Sequence, residues 1–344
     1  MKLSFTTYRI ECTHPFGISR SSHNYYDIVY IYLENNGIIG RGEAAPSGRY
    51  NEFTENILAL LNKGIDLPEK IDDPIEFTKI ISPLFSGIKA LEVAFSMAVL
   101  DLWCQEKGIS LNKYFQADPK KTPKTSYTIS IGEMSIIPEK IKESEPYHIL
   151  KVKLGMGIKQ DKDIINAIRR ETDKIIRVDA NEGWDLVSGI EMSLWLATQN
   201  VEFIEQPFLS TNLDDTAKLR EESPLPIIAD ENSLNSDDIP KIHGIFDGIN
   251  IKLMKCGNLF EAIKMIKMAR DRDMKIMLGC MIESSIGITA AAHLSPLVDY
   301  ADLDGNLLIN NDPYSGVKIL NGKLVLPNEN GLGISLTSKD KNLI

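Results

Sequence analysis

The chain has 344 residues, of which 43% are hydrophobic and 25% are charged, so it can bury a large core in about two domains. Its net charge of −10 argues against nucleic acid or an anionic membrane as a partner, because either would require a basic surface. No apolar run approaches the roughly 18 residues of a membrane span, and the N-terminus lacks a signal peptide's apolar core. Four scattered cysteines without a CxxC pair predict neither zinc nor disulfides and favour a reducing cytoplasm.

Residues 1–122 have the pattern of a capping domain of mixed α+β structure. Three runs predict an antiparallel meander of strands: Leu3–Arg9, Ile28–Leu33 and Ile38–Glu43. The turn at Asn35-Asn36-Gly37 joins the last two, and His14–Arg20 is predicted to be a loop because it is rich in turn residues. A long helix is expected over Gly87–Lys107, where alanines recur every four residues, with Gly108 ending it.

From Lys124 onward, strand-like and helix-like segments alternate. The eight strand candidates are Ser126–Ile131, His148–Leu154, Ile175–Asp179, Val201–Glu205, Pro226–Asp230, Gly248–Leu253, Lys275–Gly279 and Ala301–Asp304. This alternation predicts a (β/α)-barrel over residues 123–310 whose last helix is doubtful. A doubly wound open sheet is the alternative, but no GxGxxG follows an early strand. Residues 311–344 are expected to return to the cap as a tail, with a hairpin at Gly316–Leu326.

The second barrel strand contains two lysines in an otherwise apolar setting. Because side chains of a strand alternate between faces, Lys151 and Lys153 point to the same face. Taken alone, this pattern favours an edge strand with a solvated lysine face. Two ammonium groups facing a barrel interior would be costly without counter-charges, and the later strands provide them.

Four later strands each end in a polar residue, and together with Lys153 they follow one another at steps of roughly 22 to 26 residues. These residues are Asp179, Glu205, Asp230 and Lys252. Each one alone would be interpreted as a loop residue or a helix cap, but five in register indicate an active site at the carboxyl ends of barrel strands. Because the three carboxylates come from adjacent strands, they can converge on a cation. An all-oxygen ligand set predicts Mg²⁺, with Mn²⁺ as the alternative.

The two lysines at strand ends suggest proton transfer. Lys153 and Lys252 lie four strands apart in a barrel of eight, so one can remove an α-proton and the other can return it from the opposite face, which inverts that carbon. We expect Lys151 to lower the pKa of Lys153 towards about 7 to 8 by repulsion. Asp302 and Asp304 share a face of the eighth strand, opposite the metal, and are suited to a substrate ammonium. A substrate with a carboxylate at the metal, an ammonium across the barrel and the reacting carbon between them is longer than a free amino acid, and a dipeptide fits.

These residues resemble the enolase superfamily and, within it, the muconate-lactonizing subgroup and its dipeptide epimerases. The resemblance covers essentially the whole chain and rests on the stretch Ala90–Gly108, the KxK motif at Lys151–Lys153 and the motif Asn250–Leu253. It implies an α/β fold: a modified (β/α)7β TIM-like barrel with an α+β capping domain formed by the N-terminal region and the C-terminal tail. It also implies Mg²⁺ at the three carboxylates, Lys153 and Lys252 as the acid/base pair, and Lys151 as an orienting and tuning partner.

Two further motifs resemble those of the dipeptide epimerases. The segment from Gly279 to Ser284 resembles the group's seventh-strand motif, and the segment from Asp302 to Gly305 resembles its DxD motif, which binds the α-ammonium. The candidate substrate-binding residues are therefore Asp302, Asp304, Cys280, Met281 and Glu283. Arg20 resembles an arginine that binds an acidic second residue, which implies the murein peptide L-Ala-D/L-Glu as substrate. The alternative for Arg20 is a solvated loop residue.

Other activities occur on the same scaffold. Lyases and cycloisomerases, such as o-succinylbenzoate synthase and muconate cycloisomerase, and N-acylamino acid racemases would use the same five strand-end residues. The pair Asp302 and Asp304 favours the epimerase, because the substrates of these rivals offer no ammonium. A non-catalytic metal-binding or scaffold protein is a third interpretation. The expected partner is a small dipeptide, and the dipeptide's side chains, a homo-oligomeric state and the pathway are left open.

Overall fold

The computed structural model describes residues 1–337, and the first part of the chain forms a three-stranded antiparallel sheet. Its strands, in the order β1-β2-β3, are β1 (Lys2–Ile18), β2 (Ser21–Asn35) and β3 (Ile38–Ala44). The predicted meander is confirmed. Asn36 and Gly37 turn the chain between the last two strands with φ of 51° and 80°, the left-handed conformation that a tight hairpin requires.

The predicted loop at His14–Arg20 is wrong. Most of that segment belongs to β1, where Phe16, Gly17 and Ile18 pair with residues of β2. The register shifts between Glu11 and Phe16, so Pro15, which has no N–H to donate to the ladder, falls in the irregular stretch. The cap strand therefore continues past its proline to the edge of the barrel.

The helices of the cap are α1 (Thr54–Leu61), α2 (Pro74–Ile81), α3 (Lys89–Lys107) and α4 (Leu111–Tyr114). The predicted long helix is confirmed as α3, and Gly108 ends it with φ of 68°. This helix packs directly on β3, where Gly40 and Gly42 lie against the carbonyl groups of Ala98 and Ala94. A Cβ atom at either glycine would overlap those carbonyls, so only glycine permits the close approach.

The second part of the chain is a barrel of eight parallel strands in sequential order. The strands are β4 (Tyr127–Ile129), β5 (Ile149–Lys153), β6 (Ile175–Asp179), β7 (Val201–Glu205), β8 (Ile227–Ala229), β9 (Gly248–Lys252), β10 (Lys275–Gly279) and β11 (Tyr300–Asp302). The accompanying helices are α5 (Ile137–Glu143), α6 (Ile158–Glu171), α7 (Leu186–Leu196), α8 (Leu213–Glu222), α9 (Ile239–Ile242), α10 (Leu253–Cys256), α11 (Leu259–Arg270) and α12 (Ser285–Leu294). A parallel bridge between Thr125 and Ala301 closes the barrel.

The eight predicted strands are confirmed, and so is the TIM-like (β/α)7β form of the barrel. After β11 the chain makes only a 3₁₀ turn at Gly305–Leu307, so the eighth α-helix is missing from this part of the described chain. β5 is paired on both sides, with β4 and β6. The interpretation of its two lysines as an edge-strand feature is therefore wrong, and their side chains lie inside the barrel.

The tail forms two short pairs of strands: β12 (Tyr314–Ser315) with β15 (Ser335–Leu336), and β13 (Lys318–Leu320) with β14 (Lys323–Val325). The second pair is the predicted hairpin, with Asn321 and Gly322 at φ of 51° and 72°. The hydroxyls of Tyr32 and Tyr314 lie 2.8 Å apart and join the tail to the cap. We propose the division 1–122, 123–310 and 311–344, of which residues 338–344 lie outside the described chain. No helix in residues 1–337 is long and apolar enough to cross a membrane.

Candidate active site

The five predicted strand-end residues meet at one end of the barrel. Lys153, Asp179, Glu205 and Lys252 are the last residues of β5, β6, β7 and β9, and Asp230 follows β8 directly. The parallel register pairs Lys153 with Asp179, and Asp179 with Glu205. All five side chains are buried. Since buried charges persist only where they are paired or bind an ion, this cluster is a functional-site candidate.

The three carboxylates converge on a position that fits a metal ion. Asp179, Glu205 and Asp230 each offer an oxygen within 4.8 Å of the other two. Burial and the charges of its two neighbours raise the pKa of Glu205 to about 7. A divalent cation would relieve this repulsion, and three carboxylates without histidine or cysteine form the donor set of a hard ion such as Mg²⁺.

Each carboxylate is oriented by a neighbouring donor to one of its oxygens. The backbone N–H of Asn181 donates to Asp179 Oδ1 at 2.9 Å. The other two donors are buried side chains: Asn250 Nδ2 donates to Glu205 Oε1 at 2.7 Å, and Lys255 Nζ to Asp230 Oδ1 at 2.5 Å. Such supporting partners fix the direction in which metal ligands present their remaining oxygens.

The backbone is strained directly after two of the carboxylates. Asn181, Glu182 and Gln206 adopt φ of 45°, 65° and 36°, a region that residues other than glycine rarely occupy. Such conformations cluster at functional sites, where the surrounding structure holds them in place. Here they place Asn181 so that its amide reaches the carboxylate two residues earlier.

The lysines of the barrel interior divide into two kinds. All three lysines line the cavity, but Lys153 and Lys252 each contact one metal-site carboxylate, Asp179 at 2.7 Å and Asp230 at 2.8 Å. Lys151 lies deeper among three carboxylates, 2.7 Å from Glu205 and Asp302 and 3.2 Å from Asp179. Burial lowers the pKa of Lys151, but these carboxylates outweigh it and hold the pKa well above its usual value. Lys151 is therefore a permanent cation that links the two groups of acids.

Asp302 and Asp304 line the same cavity on the far side of the barrel. Asp302 is the last residue of β11 and accepts a hydrogen bond from Ser126 Oγ at 2.6 Å. Asp304 lies two residues further on, and the backbone N–H of Thr128 donates to its Oδ2 at 2.6 Å. Burial and the charge of Asp302 raise the pKa of Asp304 to about 7. A substrate cation would be favoured beside this pair.

A cavity of about 600 Å³ lies between the barrel mouth and the cap. The cap contributes two segments of wall, drawn from residues 16–28 and 45–55. The barrel contributes the lysines and aspartates described above, together with Cys280, Met281 and Ile282. The volume falls within the range of small-molecule sites.

Four of the predicted binding residues take different positions relative to this cavity. Cys280 and Met281 line it, whereas Glu283 turns back into its own loop, where its Oε1 accepts the backbone N–H of Met281 at 2.7 Å. Arg20 lines the cavity, but its guanidinium contacts Glu231 at 2.6 Å and Glu182 at 3.1 Å. Arg20 lies in the turn between β1 and β2, and its half-buried guanidinium is already part of an ion-pair network.

Sequence reasoning missed the residues that orient the carboxylates. Asn250 precedes Lys252 by two residues on β9, so the period-two rule places both on the inner face. That alternation was a usable signal. Lys255 follows Lys252 at the spacing of one helical turn, but its position in a four-residue helix after the strand could not be predicted.

Comparison with known proteins agrees with this geometry. Residues 138–341 match the family model described as enolase C-terminal domain-like. The chain is 38% identical over 341 residues to the L-Ala-D/L-Glu epimerase of Bacteroides thetaiotaomicron, covering 97% of this chain and 88% of that protein. It is 35% identical over 338 residues to an L-Ala-D/L-amino acid epimerase of Flavobacterium johnsoniae, covering 98% of this chain and all of that protein.

Among solved structures, the dipeptide epimerase of Cytophaga hutchinsonii complexed with Mg and D-Ala-L-Val superposes with a TM-score of 0.90, at 27% identity over 98% of this chain and 96% of that one. The barrel, its cap and the acidic strand ends define an enzyme scaffold of the (β/α)7β class. The chain belongs to the enolase C-terminal domain-like family.

Proposed function

We propose that the protein is an Mg²⁺-dependent dipeptide epimerase that inverts the α-carbon of the C-terminal residue of a dipeptide by two-base 1,1-proton transfer. One observation carries this proposal. Lys153 and Lys252 line the cavity from β5 and β9, on either side of the three carboxylates, and Asp302 and Asp304 line the same cavity across the barrel. The epimerases named above support the same reaction class.

In this proposal Asp179, Glu205 and Asp230 hold the metal ion. When bound, the cation stabilises the negative charge that develops on the substrate carboxylate as the α-proton leaves. Lys153 removes the proton from one configuration and Lys252 returns a proton to the opposite face, and the roles reverse for the other configuration. Lys151 also lines the cavity, but its ammonium contacts three carboxylates, so in this proposal it orients these acids and leaves proton transfer to Lys153 and Lys252.

The far side of the cavity selects the substrate's N-terminus. Asp302 and Asp304 can hold a free α-ammonium by charge and hydrogen bonds. The substrates of the rival lyases, cycloisomerases and N-acylamino acid racemases carry no such group, so two buried carboxylates lining the cavity favour the epimerase. Cys280 and Met281 form the adjoining wall.

We further propose L-Ala-D/L-Glu, a murein peptide, as the favoured substrate. The relative from Bacteroides thetaiotaomicron carries that name. Arg20 would bind the acidic side chain, with Glu182 and Glu231 holding the guanidinium at the cavity rim. We place the reaction in the cytoplasm, since all four cysteines are free thiols.

The proposal is tested by incubating the protein with L-Ala-L-Glu and Mg²⁺ in D₂O and following deuterium at the C-terminal α-carbon by mass spectrometry. Lys153→Ala and Lys252→Ala should each abolish epimerisation. Lys140→Ala is a matched control, because Lys140 is equally buried but bonds to Ser130 Oγ at 2.7 Å outside this cavity. If either catalytic variant turned over like the control, the two-base mechanism would be wrong.

Arg20 is tested with a pair of substrates that differ only in charge. Arg20→Met should reduce kcat/KM for L-Ala-L-Glu by roughly 100-fold, as expected for a lost charge-assisted contact, and leave L-Ala-L-Gln within about threefold. An equal loss on both substrates would assign Arg20 to the structure of the rim rather than to recognition of the acid.

A further inference from the structure

A buried carboxylate of the cap, which is not among the active-site residues described above, contacts the barrel. Glu43 lies near the end of β3 and has no measurable exposure to solvent. It accepts three hydrogen bonds from the start of α12: from Ser284 N at 2.8 Å, Ser284 Oγ at 2.6 Å and Gly287 N at 3.0 Å. The N-terminus of a barrel helix is thus satisfied by a side chain of the cap.

Glu43 lies among acidic and phenolic groups, and Arg41, two residues earlier on β3, acts on one of them, Tyr314. Within residues 1–337 Glu43 forms no ion pair, and the titratable groups that act on it or feel its charge are Tyr30 on β2, Glu283 beside α12, and Asp312 and Tyr314 in the tail. Burial raises the pKa of Glu43 to about 7, although the hydrogen bonds from its three donors act to lower it. Burial and the charge of Glu43 raise the pKa of Glu283 to about 8.

The two sides of this contact are two walls of the cavity. Ala45, two residues after Glu43, lines the cavity from the cap, and Met281 and Ile282, just before Ser284, line it from the barrel. The same barrel loop packs against Gly305, where a Cβ atom would come within 2.5 Å of the Met281 carbonyl oxygen. The loop held by Glu43 therefore also supports the segment that carries Asp304.

We propose that Glu43 is a positioning residue, which fixes the loop Cys280–Ser284 against the cap and so sets the width of the substrate cavity between Ala45 and Met281. This inference rests on the proposed epimerase function and adds a residue of the cap to it. Glu43 does not touch the substrate. It acts through the loop, so its loss should weaken substrate binding while the lysines keep their positions.

Glu43→Gln tests this with little change of shape. An amide presents one acceptor and two donors, so it cannot accept all three hydrogen bonds. We expect KM for L-Ala-L-Glu to rise about tenfold, equivalent to about 1.4 kcal/mol, with kcat within about twofold. Asp101→Asn is the matched control. Asp101 is also buried in the cap and accepts the N–H groups of Arg41 and Leu332 at 2.9 and 2.8 Å, away from the cavity.

The pH dependence separates positioning from a general loss of stability. The ionised carboxylate matches its three donors, so the ratio of KM between Glu43→Gln and the wild type should be largest above pH 8. The ratio should fall towards one below pH 6, where the wild-type carboxyl is protonated and therefore neutral, like the glutamine side chain. A ratio independent of pH, or an equal rise of KM in Asp101→Asn, would overturn the proposal.

Ser284→Ala provides a milder variant should Glu43→Gln fold poorly. It removes the Oγ donor and keeps the backbone N–H, so a smaller rise in KM is expected, and the double variant should be less than additive. A wild-type KM in Ser284→Ala and full additivity would both count against Glu43. A wild-type protein inactive on every dipeptide would instead refute the proposed function itself.

Discussion

Asn250→Ala should weaken Mg²⁺ binding without disturbing the carboxylates' own strands. Asn250 is fully buried, and its Nδ2 donates to Glu205 Oε1 at 2.7 Å. It packs against Gly279, where a Cβ atom would come within 2.6 Å of its amide oxygen. The site is therefore built around this amide, and alanine removes the donor to Oε1, so that Lys151 alone orients Glu205 through Oε2.

The size of the effect follows from one hydrogen bond to a charged group. Such a bond is worth about 1.5 to 3 kcal/mol, and loss of a supporting partner typically reduces metal affinity by about 10- to 100-fold. We expect the Kd for Mg²⁺, measured by isothermal titration calorimetry, to rise by that factor. The stabilisation of the fold by a fixed Mg²⁺ concentration should shrink in parallel, because ligand linkage depends on the same Kd.

Asn112→Ala controls for the loss of a buried asparagine. Asn112 lies in the cap and donates to the carbonyl of Ala117 at 3.3 Å, remote from the carboxylates. It should lower the free energy of unfolding and leave the Kd unchanged. If Asn250→Ala bound Mg²⁺ as tightly as the wild type, Glu205 would not depend on Asn250 for its orientation.

Two further predictions concern stability. Burial lowers the pKa of His293 to about 4 from the usual 6.5, so the unfolded chain takes up the proton first and stability falls as the pH drops from 6.5 to 4. Relative to His293→Gln, the wild type should lose about 3 kcal/mol between pH 7 and pH 4 in urea titrations, and equal slopes would contradict this. Gly42→Ala should destabilise the cap by about 3 kcal/mol or more, because the new methyl group meets the Ala94 carbonyl. Gly132→Ala, which meets only a side chain at 3.6 Å, should have a nearly wild-type melting temperature.

The barrel could be predicted because its signal is repeated. Each unit contains an apolar strand, a helix and a polar residue at the strand end, and a regular spacing of such units has few alternative explanations. The inward direction of Lys151 and Lys153 became clear only from the acids on the following strands. That inference depends on how strands are arranged in the fold rather than on local sequence, and it succeeded because parallel strands bring their carboxyl ends to one edge.

The parts that were not predicted depend on pairing between distant segments. His14–Arg20 has the composition of a loop, yet its first five residues belong to β1, because β2 supplies pairing partners for Phe16, Gly17 and Ile18. Glu283 belongs to a motif at the cavity, but a local bond to Met281 turns its carboxylate away. The contact between Glu43 and Ser284 joins residues 241 positions apart, and composition and periodicity carry no information about such a contact.

The division of the cavity wall between cap and barrel has a consequence for engineering. The reacting groups lie on hydrogen-bonded strands, whereas residues such as Tyr25 and Phe53 at the cap rim are 47% and 45% exposed. Exposed positions tolerate replacement at a typical cost within about 0.5 kcal/mol. A combinatorial library confined to that rim could therefore search for new dipeptide preferences while the proton-transfer residues stay constant. Substrate specificity can then change on this scaffold without a change in the catalytic mechanism.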